Sequence, residues 1–284
     1  MTHQVGGAET KASPKGRPAV GPAEPPAHQV PAHLRYLSLL VFVPLMGLAT
    51  AGFGCISILC GLWDRSGRQQ HAVARMWAKT MLTIACSPVE VIGREKLGQH
   101  PVAVYASNHL SYMDTPVLFA KMPFQFHILA KQGLWKIPFI GWYLKRSGQV
   151  PIEAGSGRSA IAGLLRGVAA LKSGLPLMVF PEGGRAPDGR VRQPAPGCAF
   201  MAIRAGVPLV PLALIGTFEM LPMHVYSLRP RVLKIVVGDP ISTDGLTTRD
   251  SEALTDRMFA AITDMYYRYA AIAPEEEPTM QERA

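Results

Sequence analysis

The chain reads as an α/β protein: a mixed, partly parallel sheet flanked by helices, preceded by an N-terminal membrane-associated helical segment. Three observations carry that expectation. Beyond residue 88, short apolar runs alternate with segments of helical periodicity. Residues 36–63 form a run of 28 positions without a charged side chain. Residues 1–31 are rich in Pro and residues 273–284 in Glu, and both ends are poor in large apolar residues.

These features divide the 284 residues into four parts. Residues 1–31 are expected to be a disordered tail, because T-K-A-S-P-K-G-R-P-A-V-G-P and its surroundings bury too little surface to offset ordering entropy. Residues 32–87 are expected to be a membrane-anchoring helical segment, residues 88–272 an α/β domain, and residues 273–284 a loose tail.

Within the second part, Tyr36 and Trp63 end the apolar run, and Arg35, Arg65 and Arg68 flank it, as interfacial anchors do. The run starts too late and is too long for a secretory signal. Pro44, Gly47, Gly52 and Gly54 leave two forms open, one spanning helix or two half-helices that dip and return. Residues 72–86 and 131–146 both read as amphipathic interfacial helices, the second interleaving Lys131, Lys136, Lys145 and Arg146 with Trp135, Phe139, Trp142 and Tyr143.

In the third part, strands are expected over 102–106, 126–130, 149–152, 177–180, 209–214 and 232–237. The clearest helix is Arg158–Lys172, where Ile161, Leu164, Leu165, Val168 and Leu171 share one face and Gly174 follows the end. Gly197–Ala205 and 249–269 are further helices.

The net charge of +9 suits an anionic membrane surface. Nucleic acid is not expected as a partner, since no recognition helix, zinc spacing or stacking-aromatic motif occurs. Cys55, Cys60, Cys86 and Cys198 lack metal-type spacing and read as reduced thiols of a cytosol-facing protein.

Three polar islands follow strands: N-H-L-S-Y-M-D, E-A-G-S-G-R-S and P-E-G-G-R. In open α/β sheets, ligands gather at the carboxyl ends of strands. On one helix, His109 and Asp114 would lie about 140° apart. A tight turn between strand and helix instead brings imidazole onto carboxylate, the working part of a general base. Asp114 also suits a helix start, because Thr115-Pro116 follows. In P-E-G-G-R, glycines let backbone approach a ligand, Arg185 suits a bidentate phosphate contact, and Glu182 suits orienting it. The stretch G-S-G-R-S-A matches G-x-G-x-x-A, with Glu182 22 positions after Ala160. A nicotinamide oxidoreductase using Gly155 and Gly157 is therefore a remote alternative. A milder reading has Arg158 and its helix start holding a phosphate.

Together these islands resemble the glycerolipid acyltransferase family of lysophosphatidic-acid acyltransferases and relatives. Asn108, His109 and Asp114 match N-H-x4-D. Phe180, Pro181, Glu182, Gly183 and Arg185 match F-P-E-G-T-R, with Gly184 in place of Thr. Pro208 and Pro211 lie in a V-P-x-x-P strand. The resemblance implies acyl transfer from acyl-CoA or acyl carrier protein, as co-substrate rather than cofactor, to 1-acyl-glycerol-3-phosphate, giving phosphatidic acid in phospholipid biosynthesis. It implies His109 and Asp114 as the catalytic pair, with Asn108, Glu182, Gly183 and Arg185 binding substrate and no metal. It places the catalytic domain on the cytoplasmic face of a membrane, the inner one in a bacterium, with membrane lipids as partners. Two departures stand out: Ala154 occupies the position of a usual arginine, and Pro196 that of a usual lysine. Either Arg158 replaces the arginine, or the acceptor is another lyso-lipid, such as a lyso-phospholipid or lyso-ornithine lipid.

Overall fold

The computed structural model describes residues 31–64, 66–153, 157–225 and 227–270. The expected tails, apart from Pro31, lie outside the described residues, as do Arg65, Ala154 and Gly155.

α1 (Ala32–Leu37), a π-helical turn (Ser38–Phe42) and α2 (Val43–Cys60) run as one helix of 29 residues. It does not divide into half-helices. In α geometry the ring of Pro44 would press on the carbonyl four residues earlier. The wider π turn just before Pro44 accommodates it. Most of this helix is uncovered, with Leu40 73% and Leu48 72% exposed.

α3 (Arg68–Ile84) packs Ala78, Met81 and Leu82 into the core beside α4 (Asp114–Lys121). Residues 131–146 do not form one helix. Lys131 ends a strand, Gln132–Lys136 is a 3₁₀ turn, and α5 is Ile140–Arg146. Pro138 divides them. It lacks an N–H and holds Ile137 extended, at φ −82° and ψ 125°.

Among the described residues, seven strands form one sheet in the order β1-β7-β6-β2-β5-β3-β4. They are β1 (Val89–Ile92), β2 (Val104–Ser107), β3 (His127–Lys131), β4 (Val150–Ile152), β5 (Leu177–Val179), β6 (Leu209–Ile215) and β7 (Leu233–Val237). β6 and β7 pair antiparallel, and every other pairing is parallel. The sheet is therefore mixed and mostly parallel. β1 is an addition to the expected strands. Its sequence V-E-V-I is short, and Glu90 interrupts the apolar signal.

The central strands β2, β5 and β6 are buried throughout, as a sheet covered on both faces requires. One face carries α3 and α4. The other carries α6 (Arg158–Lys172), α7 (Gly197–Ala205) and α9 (Ser251–Tyr269). Between β6 and β7 lies the short α8 (Thr217–Met220). Because β2, β3, β4, β5 and β6 run the same way, all three polar islands and α8 follow carboxyl ends on one edge.

Candidate active site

Strand β2 ends at Ser107, and the chain turns tightly before α4 begins at Asp114. The turn brings His109 Nδ1 to 2.8 Å from Asp114 Oδ2. The same Oδ2 accepts the backbone N–H of Leu110 at 2.7 Å and of Ser111 at 2.8 Å. An oxygen already accepting two N–H groups takes the third partner as a donor too. Nδ1 therefore carries the ring proton, and Nε2 is left as the basic nitrogen. Asp114 is fully buried, whereas the His109 side chain keeps 13% exposure. A buried carboxyl thus fixes a ring that still reaches the surface.

The P-E-G-G-R loop clasps this turn. Glu182 Oε1 accepts the His109 N–H at 3.1 Å, and the Ala186 N–H donates to the His109 carbonyl at 3.0 Å. The Phe180 ring stacks on the imidazole, with centroids 3.9 Å apart and planes 14° from parallel. Gly183 takes φ +70°, which lets the loop turn sharply after β5. Further along, the buried Tyr266 hydroxyl on α9 donates to the Gly189 carbonyl at 2.7 Å and tethers the loop from behind.

The site mixes charge of both signs. Burial pushes the Glu182 carboxyl up to about 8, with the Asp114 charge adding to it, while the backbone N–H groups of His109 and Arg192 and the Arg192 guanidinium pull the other way. The Arg185 guanidinium lies 4.3 Å above the Tyr112 ring. Its Nε is buried with no hydrogen-bond partner among the described residues. Lys131 reaches the same loop from the end of β3: a Cβ on Gly184 would sit 3.9 Å from its Nζ. Arg185 and Lys131 thus both belong to or approach the loop that clasps the His109 turn, and both are suited to an anionic group. Among the described residues, no three His, Cys, Asp or Glu side chains gather as metal ligands do.

His109, Asp114, Glu182, Gly183 and Arg185 are therefore brought together. Asn108 is adjacent but otherwise engaged. Its Nδ2 donates to the Leu214 carbonyl at 2.9 Å and its Oδ1 accepts the Leu214 N–H at 2.7 Å. This buried amide locks β2 to β6, which is the interaction the structure shows for Asn108. Arg158 is exposed at the start of α6, without a polar partner among the described residues. It follows β4, three strands from β2. The dinucleotide reading also fails on position. Gly157 follows β4, which among the described residues is an edge strand paired with β3, and Glu182 is committed to the His109 turn. The sequence marked Phe180 only as a motif position and Lys131 only as an interfacial cation, and Tyr266 was not singled out. A lysine closing an apolar strand on the ligand edge was the available signal for Lys131.

An acyltransferase family model matches residues 88–215, which holds β1 through β6 and both motif loops. A 1-acyl-sn-glycerol-3-phosphate acyltransferase of Saccharomyces cerevisiae is 30% identical over 243 residues, covering 82% of this chain and 79% of that one. A chloroplastic enzyme of the same description from Brassica napus is 34% identical over 166 residues, covering 57% and 47%. The chain thus spans about half the length of the chloroplastic relatives it matches. The fold is shared with the 1-acyl-sn-glycerophosphate acyltransferase PlsC of Thermotoga maritima, at a TM-score of 0.70 and 23% identity over 82% of this chain and 95% of that one. With its two motif loops clasped on one sheet edge and a relative matched along most of its length, the chain belongs to the glycerolipid acyltransferase family.

Proposed function

We propose that the protein is a membrane-bound O-acyltransferase that moves a fatty acyl group from acyl-CoA or acyl carrier protein to the free hydroxyl of 1-acyl-glycerol-3-phosphate. The observation that carries this reading is the 2.8 Å contact between His109 and Asp114, clasped by the Arg185 loop. His109 Nε2 takes the proton of the acceptor hydroxyl as its oxygen attacks the thioester carbon. Asp114 holds the ring and stabilises the imidazolium that forms. The tetrahedral intermediate then expels the thiolate, which recovers the proton from His109. The products are phosphatidic acid and free thiol, with no covalent acyl-enzyme. Arg185 and Lys131 are suited to the acceptor phosphate, and they supply charge where the arginine usual at 154 is replaced by Ala154.

The membrane part of the proposal rests on the uncovered apolar helix Ala32–Cys60, which is long enough to cross a bilayer core. Exposed Trp63, Ile137 and Trp142 add to it as interfacial side chains. A lipid acceptor gives these surfaces a reason to be apolar. The cytoplasmic orientation rests on the four cysteines read as reduced thiols, since arginines at both ends of the apolar run favour neither topology.

The test is acyl transfer in membranes carrying wild type or His109→Ala, with labelled acyl-CoA or acyl carrier protein as donor. Transfer to lysophosphatidic acid that is lost in the variant supports the reading. Transfer only to a lyso-lipid without a phosphate monoester keeps the chemistry and changes the acceptor. Transfer indifferent to His109 overturns the catalytic assignment.

A further inference from the structure

Ser111 makes contacts that proton transfer does not itself require. Its N–H donates to Asp114 Oδ2, and its hydroxyl donates to the Leu221 carbonyl at 2.9 Å. The same Oγ accepts the Met113 N–H at 3.2 Å, and the residue is fully buried. Leu221 follows α8, and that turn is itself braced, because the Arg229 N–H donates to the Met220 carbonyl at 2.9 Å. One residue earlier, the Leu228 N–H donates to Ser38 Oγ at 2.9 Å, and that hydroxyl lies 3.5 Å from the Leu228 carbonyl. Ser38 opens the π turn of the apolar helix. It is fully buried, while Leu39 and Leu40 beside it are 44% and 73% exposed. Within this 29-residue helix, which also lays Phe42, Met46 and Ala49 on the core, this hydroxyl reaches into the globular domain.

We propose that Ser111 is a positioning residue for the His109–Asp114 pair, and that Ser38 is the far anchor of the support it leans on. The support runs from Ser38 through Leu228, Arg229, Met220 and Leu221 to Ser111 and Asp114, each step a hydrogen bond or a peptide bond. The apolar helix then sets the aim of the acid–base pair as well as holding the domain near lipid. The proposal rests on the acyl-transfer reading above.

A double-mutant cycle tests it, because physical continuity alone does not demonstrate coupling. Ser111→Ala is expected to lower kcat roughly tenfold, with KM for both substrates within about twofold, since misaiming affects the reacting geometry more than binding. Ser38→Ala is expected to lower kcat about threefold with KM unchanged, and to have no further effect in the Ser111→Ala background. Wild-type kcat in Ser111→Ala, wild-type kcat in Ser38→Ala, or effects that simply multiply would each overturn the support. If Ser111→Ala does not fold, Ser38→Ala decides alone. Wild-type transfer that is abolished in His109→Ala keeps the acyl-transfer reading intact whichever way the serines turn out. Absence of wild-type transfer removes both.

Discussion

The imidazole of His109 lies flat on the Phe180 ring, 3.9 Å between centroids and 14° from parallel. Phe180 follows β5 and Asp114 begins α4, so the ring is gripped on its face by one motif and on its Nδ1 edge by the other. A π face also stabilises the positive charge the ring acquires during transfer. Phe180→Ala is expected to lower kcat by about five- to tenfold, from a stacking contribution of about 1 kcal/mol. Steady-state kinetics with lysophosphatidic acid checks this, and a rise in KM alone would contradict it.

Asp114 Oδ2 serves three donors at once. In Asp114→Asn an amide oxygen in the Oδ2 place can still accept all three N–H groups, but it carries no charge. The ring stays held, and the imidazolium formed during transfer loses the carboxylate that stabilises it. A fall in kcat of roughly a thousandfold or more is expected, with an intact fold by circular dichroism.

Arg185 lies over Tyr112 of the His109 turn, and Lys131 approaches Gly184 of the loop that clasps it. Arg185→Ala is expected to raise KM for lysophosphatidic acid by roughly ten- to a hundredfold, the loss of one charge-assisted contact. Lys131→Ala is expected to follow in the same direction with a smaller effect. Neither change is expected to matter for an acceptor without a phosphate. Equal losses for charged and neutral acceptors would place these residues outside the acceptor subsite.

Glu182 has its carboxyl pushed up to about 8, mainly by burial. Between the ordinary carboxyl value and 8, the folded state binds more protons than the unfolded one. Stability from this group is therefore complete at low pH and is lost as pH rises toward 8. Glu182→Gln mimics the neutral form and is expected to flatten that slope, giving a Tm at pH 8 at least as high as wild type. Thermal melts of both proteins from pH 5 to 8.5 in one detergent check it.

Asn108 is expected to matter for stability more than for turnover. Asn108→Ala leaves the Leu214 N–H and carbonyl unpaired in the core and should cost about 2–4 kcal/mol. Denaturant unfolding reads it directly.

Much of the fold was legible because its signals are local. β2 and β5 are short apolar runs closed by polar islands, β6 is a longer apolar run, and α6 shows an apolar stripe. β1 escaped because a four-residue edge strand with Glu90 inside it carries too little pattern. The 131–146 segment misled because its Lys and Trp alternation outweighed the single break at Pro138. His109 and Asp114 were legible because both sit on one turn. Asn108 and Lys131 were not. The partner of Asn108 is the Leu214 backbone, 106 residues away, and Lys131 is placed by strand order, which no local pattern fixes.

Those long separations also order events during synthesis. The apolar helix Ala32–Cys60 emerges early and can meet a membrane while most of the chain is unmade. The base does not exist at that point. The His109 turn waits for Glu182, 73 residues later, and Asn108 waits for Leu214. The tether on Gly189 waits for Tyr266, 77 residues beyond it. In the membrane-bound form proposed above, a nascent chain reaches its lipid surface before it can act there, and a ribosome that stalls before α9 leaves behind an anchored but inert fragment.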